Sequence, residues 1–406
     1  MSGTPYAILA VAFWVAVTLT FYTYVGYPIW IFALCRWHPQ RWRQQPIFQT
    51  VTIILAVHNG ASLIRHQVER LLSLDYPAHL MDVIVVSDGS TDGMDEVLKG
   101  IHNPAVKGIH YPERRGKAVA VNIGMQNAMG EIVLFVDIRP RPARNSLQLL
   151  VSNFADPHIG CVAGELVLRD EDHTAGAKAV GGLYWRYEQW IRKCESQVDS
   201  PLGVYGGFYA VRRELAQPLP DATILDDMLQ PLTVIRQGYR SVIDPRARVY
   251  DVWPKSLGAE FDRKVRTLAG NFQLLQLAPW LLSAENRLRF NLISHKLLRL
   301  FVPVLLVVML GTSATLAFHS GTYAIAFVLQ VLLYLIGSVG AWRGLPVAVR
   351  LGGAARAFCM VNVAVVVGFY KFVSSRGPLW KIWIPTVPIA GTTSNNEDAT
   401  PAGLGL

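Results

Sequence analysis

Gly130 to Arg144 reads GEIVLFVDIRPRPAR, an apolar run that stops abruptly on a carboxylate. Ile132 to Val136 is continuous, β-branched and aromatic, the composition of an inner parallel strand covered on both faces. Asp137 then falls at the carboxyl end of that strand, where open α/β sheets bind their ligands, and Arg139, Arg141 and Arg144 follow at once. An acid with three guanidiniums beside it suits a phosphorylated ligand. The plainer alternative is a strand leaving the core into a polar loop.

The segments before and after this strand repeat its logic. Val51 to Val57 is a β-branched run, followed by the turn His58-Asn59-Gly60 and a helical pattern that puts Leu63, Ile64, Val68, Leu71 and Leu72 on one face. Met81 to Val86 predicts a second buried strand, ending in Ser87-Asp88-Gly89-Ser90-Thr91-Asp92-Gly93. A third, Val106 to Tyr111, leads into Glu113-Arg114-Arg115-Gly116-Lys117 and a helix over Ala118 to Met129 that carries Asn122. A glycine flanked by Arg and Lys at a helix start offers backbone N–H groups, the positive helix end and mobile cations to a phosphate. Alternation of strands and helices of this kind predicts an α/β domain with a mostly parallel sheet.

Further on, Gly160 to Leu168 predicts another strand. In Leu183 to Cys194 an apolar stripe of Leu183, Tyr187, Trp190, Ile191 and Cys194 recurs at helical spacing, with Tyr184 and Trp185 adding aromatic surface. Core packing is the ordinary reading of such a stripe, and an interfacial position or an acceptor groove is the alternative. Gly203 to Tyr209 reads as a flexible strand pair that admits close backbone approach. Asp226 and Asp227 precede a helix over Met228 to Gln237, so both lie at its positive end; adjacent carboxylates point apart, and one of the two is expected to face a substrate.

The chain of 406 residues is 51% hydrophobic and only 17% charged, which points to a membrane protein. Tyr6 to Cys35, Leu300 to Phe318 and Gly321 to Trp342 carry no charge over 30, 19 and 22 positions, each long enough to cross a bilayer. Ala357 to Tyr370 is uncharged over 14, which predicts a shallow segment beside three spans. Arg36, Arg41 and Arg43 follow the first run directly, and Arg343, Arg350 and Arg356 follow the third, which predicts a multi-pass inner-membrane protein with its central region cytoplasmic. The first run lacks a basic start and reads as a retained anchor. The expected organisation is an anchor over 1–35, a juxtamembrane linker over 36–49 lying along the headgroups, and a catalytic domain over 50–275. Interfacial helices over 276–299, a membrane region over 300–374 and a tail over 375–406, disordered from Thr392 to Leu406, complete it. Cys35, Cys161, Cys194 and Cys359 have no metal-ligand spacing and fit a reducing compartment. The net charge of +9 is explained by contact with anionic membrane lipids and not by nucleic acid, since no basic patch interleaved with aromatics is present.

Taken in order, Val51-Thr52-Ile53-Ile54 with its His-Asn turn, Val83 to Asp92, Arg114-Arg115-Gly116-Lys117 with Asn122, and Gly130 to Asp137 resemble the family 2 glycosyltransferases. Gly206 to Arg213, Leu225-Asp226-Asp227-Met228 and Gly238-Tyr239-Arg240 extend the likeness over residues 50 to 275. With flanking membrane segments the layout is similar to the bacterial polysaccharide synthases, the branch that holds cellulose, hyaluronan and chitin-oligosaccharide synthases. The resemblance implies a nucleotide-diphospho-sugar transferase (GT-A-like) domain and inverting transfer of a hexosyl or N-acetylhexosaminyl group. The donor would be a nucleotide sugar, UDP-linked by preference, and the acceptor a glycan or a lipid-linked sugar. Other biosynthesis or export subunits would be partners. Asp88 would contact the base, Lys117 with Arg115 the donor phosphates, and Asp137 would be the first acid of the metal-binding DxD. Asp227 would take the proton from the acceptor hydroxyl, with Asp226, Gly207, Phe208 and Tyr209 around the acceptor.

Three departures from the family pattern stand out. The second acid of DxD is replaced, because Arg139 stands two positions after Asp137, so the site for Mg2+ or Mn2+ loses a ligand. The TED-type motif reads Leu225-Asp226-Asp227 and keeps its last acid. The QxxRW motif appears as Arg263-Lys264-Val265-Arg266-Thr267, without the tryptophan expected at the acceptor. Arg139, or Arg263 and Arg266, would then supply charge to the donor site that metal supplies elsewhere. The loss of the tryptophan favours single addition over processive synthesis. A non-catalytic membrane scaffold is the competing class. A dehydrogenase lacks its G-x-G-x-x-G, and a transporter would need more spans.

Overall fold

The computed structural model describes residues 3–169, 175–254, 256–339 and 346–375, together with Gly377 and Leu379. Lys381 and the tail expected from Thr392 to Leu406 lie outside the described residues. The chain begins with a long apolar helix, α1 (Gly3–Trp37), interrupted by one π turn at Tyr22–Gly26. The domain follows as β1 (Val51–Val57), α2 (Ala61–Leu72), β2 (Met81–Asp88), α3 (Met94–Lys99), β3 (Val106–Tyr111), α4 (Lys117–Asn127), β4 (Ile132–Val136), β5 (Arg141–Pro142) and α5 (Ser146–Val151). Its second half is β6 (Ile159–Arg169), α6 (Ala175–Val198), β7 (Phe208–Arg212), α7 (Asp226–Arg236), β8 (Arg240–Val252) and α8 (Leu257–Leu277).

One sheet of eight strands runs β3-β2-β1-β4-β7-β6-β8-β5. The sheet is mostly parallel, as expected, and two reversed strands make it mixed. β1 pairs in parallel with β2 and β4, β2 with β3, and β6 with β8, but β7 enters reversed between β4 and β6, and β5 lies antiparallel to β8. Both faces are covered, which is why β1 and β4 read as continuous apolar runs. Ile53, Leu55 and Leu134 point to one core, where Ile64, Val68 and Leu71 of α2 meet them. Their neighbours Ile54, Val133 and Phe135 point to the other, against Ala118 and Val121 of α4 and Leu229 and Leu232 of α7. The period of two in a strand thus loads two cores from one sequence run.

The linker packs on the domain: Trp42 Nε1 donates to Asn153 Oδ1 at 2.6 Å, the Arg240 guanidinium covers the Trp42 ring at 5.7 Å, and the Tyr76 hydroxyl donates to Gln49 O at 2.6 Å. Gly203 to Tyr209, expected as a strand pair, is a single loop entering β7.

Among the described residues, four helices are long and apolar enough to cross a membrane by length and composition: α1, α9 (Arg289–Leu316), the Gly321–Ser338 part of α10 (Gly321–Val339) and the Gly352–Ser374 part of α11 (Pro346–Ser374). The run Ala357 to Tyr370, expected to be shallow, is the middle of α11. Arg356 and Lys371 bound it in sequence without ending the helix, since long cationic side chains carry their charge away from an apolar stem. α9 also starts eleven residues before the uncharged run, through a π turn at Leu292–Leu297 that carries His295 and Lys296. The polar residues of that turn face α6: Glu188 pairs with Lys296 at 2.5 Å and with Arg299 at 2.6 Å, while His295 lies between Glu188 and Glu195, and the Tyr27 hydroxyl donates to Glu195 at 2.7 Å.

Candidate active site

The carboxyl ends of β1, β2 and β4 carry three loops that are tied to one another. Asp88 ends β2 and is only 3% exposed. Its carboxylate accepts from the Tyr111 hydroxyl at 2.8 Å, from Arg115 N at 2.7 Å and from Gly116 N at 2.9 Å. The carboxylate expected to meet a nucleotide base thus clamps the basic loop that opens α4. Gly89, at φ +58°, makes this clamp possible, because a Cβ there would stand 2.3 Å from Arg114 N. The neighbouring turn is joined on by His58 Nδ1, which donates to Asp88 O at 2.7 Å, and by Thr91 N, which donates to Asn59 Oδ1 at 2.8 Å. Arg115 stays exposed above the loop, its guanidinium 5.9 Å from the Tyr111 ring centre.

Lys117 is the first residue of α4 and reaches the middle of the site. Its ammonium is 3.1 Å from Asp137 Oδ1 and 3.0 Å from Asp226 Oδ2. Burial works against the charge, yet Asp137, Asp226 and Asp227 outweigh it and raise its pKa. Asp137 follows β4 directly and its side chain is 46% exposed; its N–H donates to Gly207 O at 3.3 Å. The two acids that open α7 separate as adjacent residues do: Asp226 turns to Lys117, and Asp227 lies against Gly206, where a Cβ would stand 2.9 Å from its Cβ and 3.2 Å from its Oδ2. Burial, with the Asp226 charge adding to it, pushes Asp227 up to about 6, although Lys117 and Arg192 pull the other way. A carboxylate tuned in that direction is suited to accept a proton near neutral pH.

The expected acceptor residues divide. Phe208 and Tyr209 are corrected: both are 0% exposed, paired in β7 with Val136 and Phe135 of β4, and Tyr209 stacks on Phe135 at 4.8 Å. With both sheet faces buried, neither ring reaches a ligand. Gly207 lies just before them, under the Tyr205 ring. Asp226 faces Lys117.

The other expected cations are placed differently. Arg139 Nη2 is 3.4 Å from Asp251 Oδ2 at the end of β8, and the Tyr205 hydroxyl is 3.5 Å from the same oxygen. Burial raises the Tyr205 pKa, and Asp251 and Asp137 add to it, while Arg139 and Arg263 oppose. Arg263 is held by Glu260 at 2.6 Å on α8, and Arg266 is exposed on the same helix. Lys264, between them, is lowered to about 8 by burial and lies 4.4 Å over the Tyr184 ring. The sequence reading missed Tyr205, Asp251 and Arg192 as site residues. Asp251 had a signal, an acid near the end of a strand like Asp137, but the strand itself went unread.

Among the described residues, no group of three or more His, Cys, Asp or Glu side chains is arranged to hold a metal ion. A divalent cation that arrives with a diphosphate needs fewer protein ligands, since Mg2+ is commonly held by one or two carboxylates plus substrate phosphates. The half-exposed Asp137 fits that role, and three carboxylates around one ammonium leave negative charge for such a cation to balance.

Residues 52–218 match the family model for glycosyl transferase family 2. The poly-beta-1,6-N-acetyl-D-glucosamine synthase of Staphylococcus aureus (strain COL) is 24% identical over 230 residues, 55% of this chain and 55% of that protein. The synthase of the same name from Staphylococcus epidermidis is 23% identical over 235 residues, 57% of this chain and 56% of that one. The chain thus spans about half the length of the curated relatives it matches. Among solved structures, the mannosyltransferase PcManGT from Pyrobaculum calidifontis, in complex with GDP-Man and Mn2+, superposes with a TM-score of 0.70 at 23% identity, covering 90% of this chain and all of that one. The sheet order, the acids at its carboxyl edge and these matches agree: residues 52–218 are similar to glycosyl transferase family 2, and the domain has a GT-A-like fold.

Proposed function

We propose that the protein is a membrane-bound inverting glycosyltransferase that moves an N-acetylhexosaminyl group from a nucleotide-diphospho-sugar to a glycan acceptor in extracellular or envelope polysaccharide synthesis. The observation that carries this reading is Asp227, a carboxylate raised to about 6 and set beside the Lys117–Asp137 pair. The relatives' name supports the sugar, and the arginines that flank the first and third apolar runs support a cytoplasmic domain.

In this reading Asp227 accepts the proton of the acceptor hydroxyl as its oxygen attacks the anomeric carbon. The bond from that carbon to the diphosphate breaks, and the nucleoside diphosphate leaves with the electron pair on its terminal oxygen. Attack opposite the leaving group inverts the centre. Lys117 would turn from its carboxylates to the departing diphosphate, where preorganised positive charge lowers the barrier most, and Arg115 and Arg139 would add charge at the rim. Mg2+ or Mn2+, bound through Asp137, would neutralise the diphosphate.

The test is consumption of a panel of UDP- and GDP-linked sugars by the full chain in detergent, beside an Asp227→Asn variant, with Mg2+, Mn2+ or a chelator. One donor consumed by the wild type and spared by the variant is the expected result. Binding of nucleotides without turnover under all conditions would favour the scaffold alternative.

A further inference from the structure

Two of the four cysteines meet where the first apolar helix packs on α6. Cys35 follows Ile31 by four residues on α1, and Cys194 follows Ile191 by three on α6, so each thiol continues the stripe through which its helix packs. Tyr27, Ile31, Ile191 and Cys194 form one buried cluster, and Cys35 packs against it. The helices are fastened on both sides of the pair. Before it, the Tyr187 hydroxyl donates to Tyr24 O at 2.8 Å and the Tyr27 hydroxyl to Glu195 at 2.7 Å; after it, just past α1, Gln40 N donates to Gln197 O at 2.7 Å. The Phe32 and Trp190 rings add a contact at 5.6 Å between centres. Sliding one helix along the other would break several of these bonds, so the two thiols keep their places.

The thiols are unequal. Cys194 is 4% exposed, and burial, with Cys35 beside it adding to the effect, pushes its pKa up to about 12. It stays protonated and is shielded from small oxidants. Cys35 is half-buried, and its Sγ donates to Gln197 Oε1 at 2.9 Å in an exposed bond. An accessible thiol poised next to a second one is the arrangement of redox-responsive cysteines. In a reducing compartment such a disulfide is transient. The remaining two lie elsewhere: Cys161 is buried in β6, and Cys359 sits against Gly337 of α10, where a Cβ would stand 2.7 Å from its Sγ.

We propose that Cys35 and Cys194 are a redox modification site, at which a peroxide converts the two thiols to a disulfide that ties the first apolar helix to α6. The Cys35 thiolate attacks one peroxide oxygen, the O–O bond breaks, and Cys35 becomes a sulfenic acid as hydroxide leaves. That hydroxide takes the proton Cys35 gave up. The Cys194 sulfur then attacks the Cys35 sulfur, the S–O bond breaks, and the hydroxyl departs with the Cys194 proton as water. One peroxide is reduced to two waters, and two thiols are oxidised to one disulfide. The bond closes a loop from residue 35 to residue 194 that holds β1 to β6, which restricts the unfolded chain. None of this depends on sugar transfer. The experiment treats the reduced full chain in detergent with hydrogen peroxide and maps its cysteines by mass spectrometry. A Cys35–Cys194 link is expected, with Cys161 and Cys359 still open to alkylation after unfolding. The oxidised monomer should migrate faster without reductant and melt roughly 5–15 °C higher, and dithiothreitol should reverse both. Cys35→Ser should keep the melting temperature of the reduced protein and lose the link and the rise. Cys35 carried on to sulfinic acid while Cys194 stays a free thiol overturns the pair, as does a dimer linked through Cys35 or a rise in melting temperature that persists in Cys35→Ser.

Discussion

Two charged regions of the molecule are built on opposite plans. At the carboxyl edge of the sheet one ammonium, Lys117, faces Asp137, Asp226 and Asp227, and two members of that group stay about half-exposed. At the junction with α1 and α9 one carboxylate, Glu188, faces Lys296, Arg299, His295 and Arg192, and the group is closed from water. The first region carries surplus charge that a ligand must complete. The second is largely closed from water, with Glu195 and His295 both at 0% exposure and hydrogen-bonded to each other. The difference separates a site from a joint: open against closed.

The largest expected effect breaks the open region. Asp227→Asn should lower transfer by roughly 10²–10⁴-fold, the contribution of a positioned base. Its stability should move the other way. The folded pKa of Asp227 lies above its ordinary value of 3.8, so its cost is absent below that pH and complete above about 6. The variant should melt higher than the wild type at pH 8 and equal to it near pH 4; a lower melting temperature at pH 8 would count against the placement of Asp227.

Next in size is the sealed region. Glu188→Gln leaves Lys296 and Arg299 buried beside a neutral amide, and removing one partner of a buried pair costs about 3–5 kcal/mol. The expected readout is lost thermal stability in detergent, with near-normal kcat in the fraction that remains folded. A stable variant with impaired kcat would make the joint part of the site.

A smaller effect tests the link between the two. Arg192 acts on both, 3.5 Å from Glu188 and with a charge that lowers the Asp227 pKa. In the wild type, kcat/KM should rise with pH through about 6 as Asp227 ionises. Arg192→Gln should move that limb upward, by roughly one unit or less. A downward shift would contradict the geometry. The smallest effect belongs to Arg139→Ala. Its exposed 3.4 Å pair with Asp251 is worth about 0–1 kcal/mol, so melting should not change, while donor KM rises a few-fold with sharper Mg2+ dependence. Full activity at unchanged Mg2+ dependence would remove Arg139 from the donor site.

The parts of the fold that could be read in the chain were those whose burial is symmetric. β1 and β4 begin and end where their apolar or β-branched runs do. β8 was missed because RSVIDPRARVYDV mixes Pro245 with charges, and it is held by β6 through two irregular registers that a local pattern does not reveal. Phe208 and Tyr209 misled for the converse reason. Aromatics next to glycines resemble a ligand surface, and only the insertion of β7 between β4 and β6 puts both rings in the core. The acids of the site were visible as motif positions, but the Lys117 bridge between Asp137 and Asp226 joins residues 20 and 109 positions away and exists only in three dimensions.

One helix has a practical consequence. On α6, Glu188, Arg192 and Glu195 recur at four and three residues and so share a face. Its outer end is anchored by Tyr27 of the first apolar helix and by His295 and Arg299 of the second. Severing the chain at residue 275 to obtain a soluble catalytic piece would strand two glutamates without their cations and loosen the rod that borders the reaction centre. Purification chemistry, lipid headgroup and detergent choice are then variables of the enzymology itself, and an assay on an excised domain would measure a different enzyme.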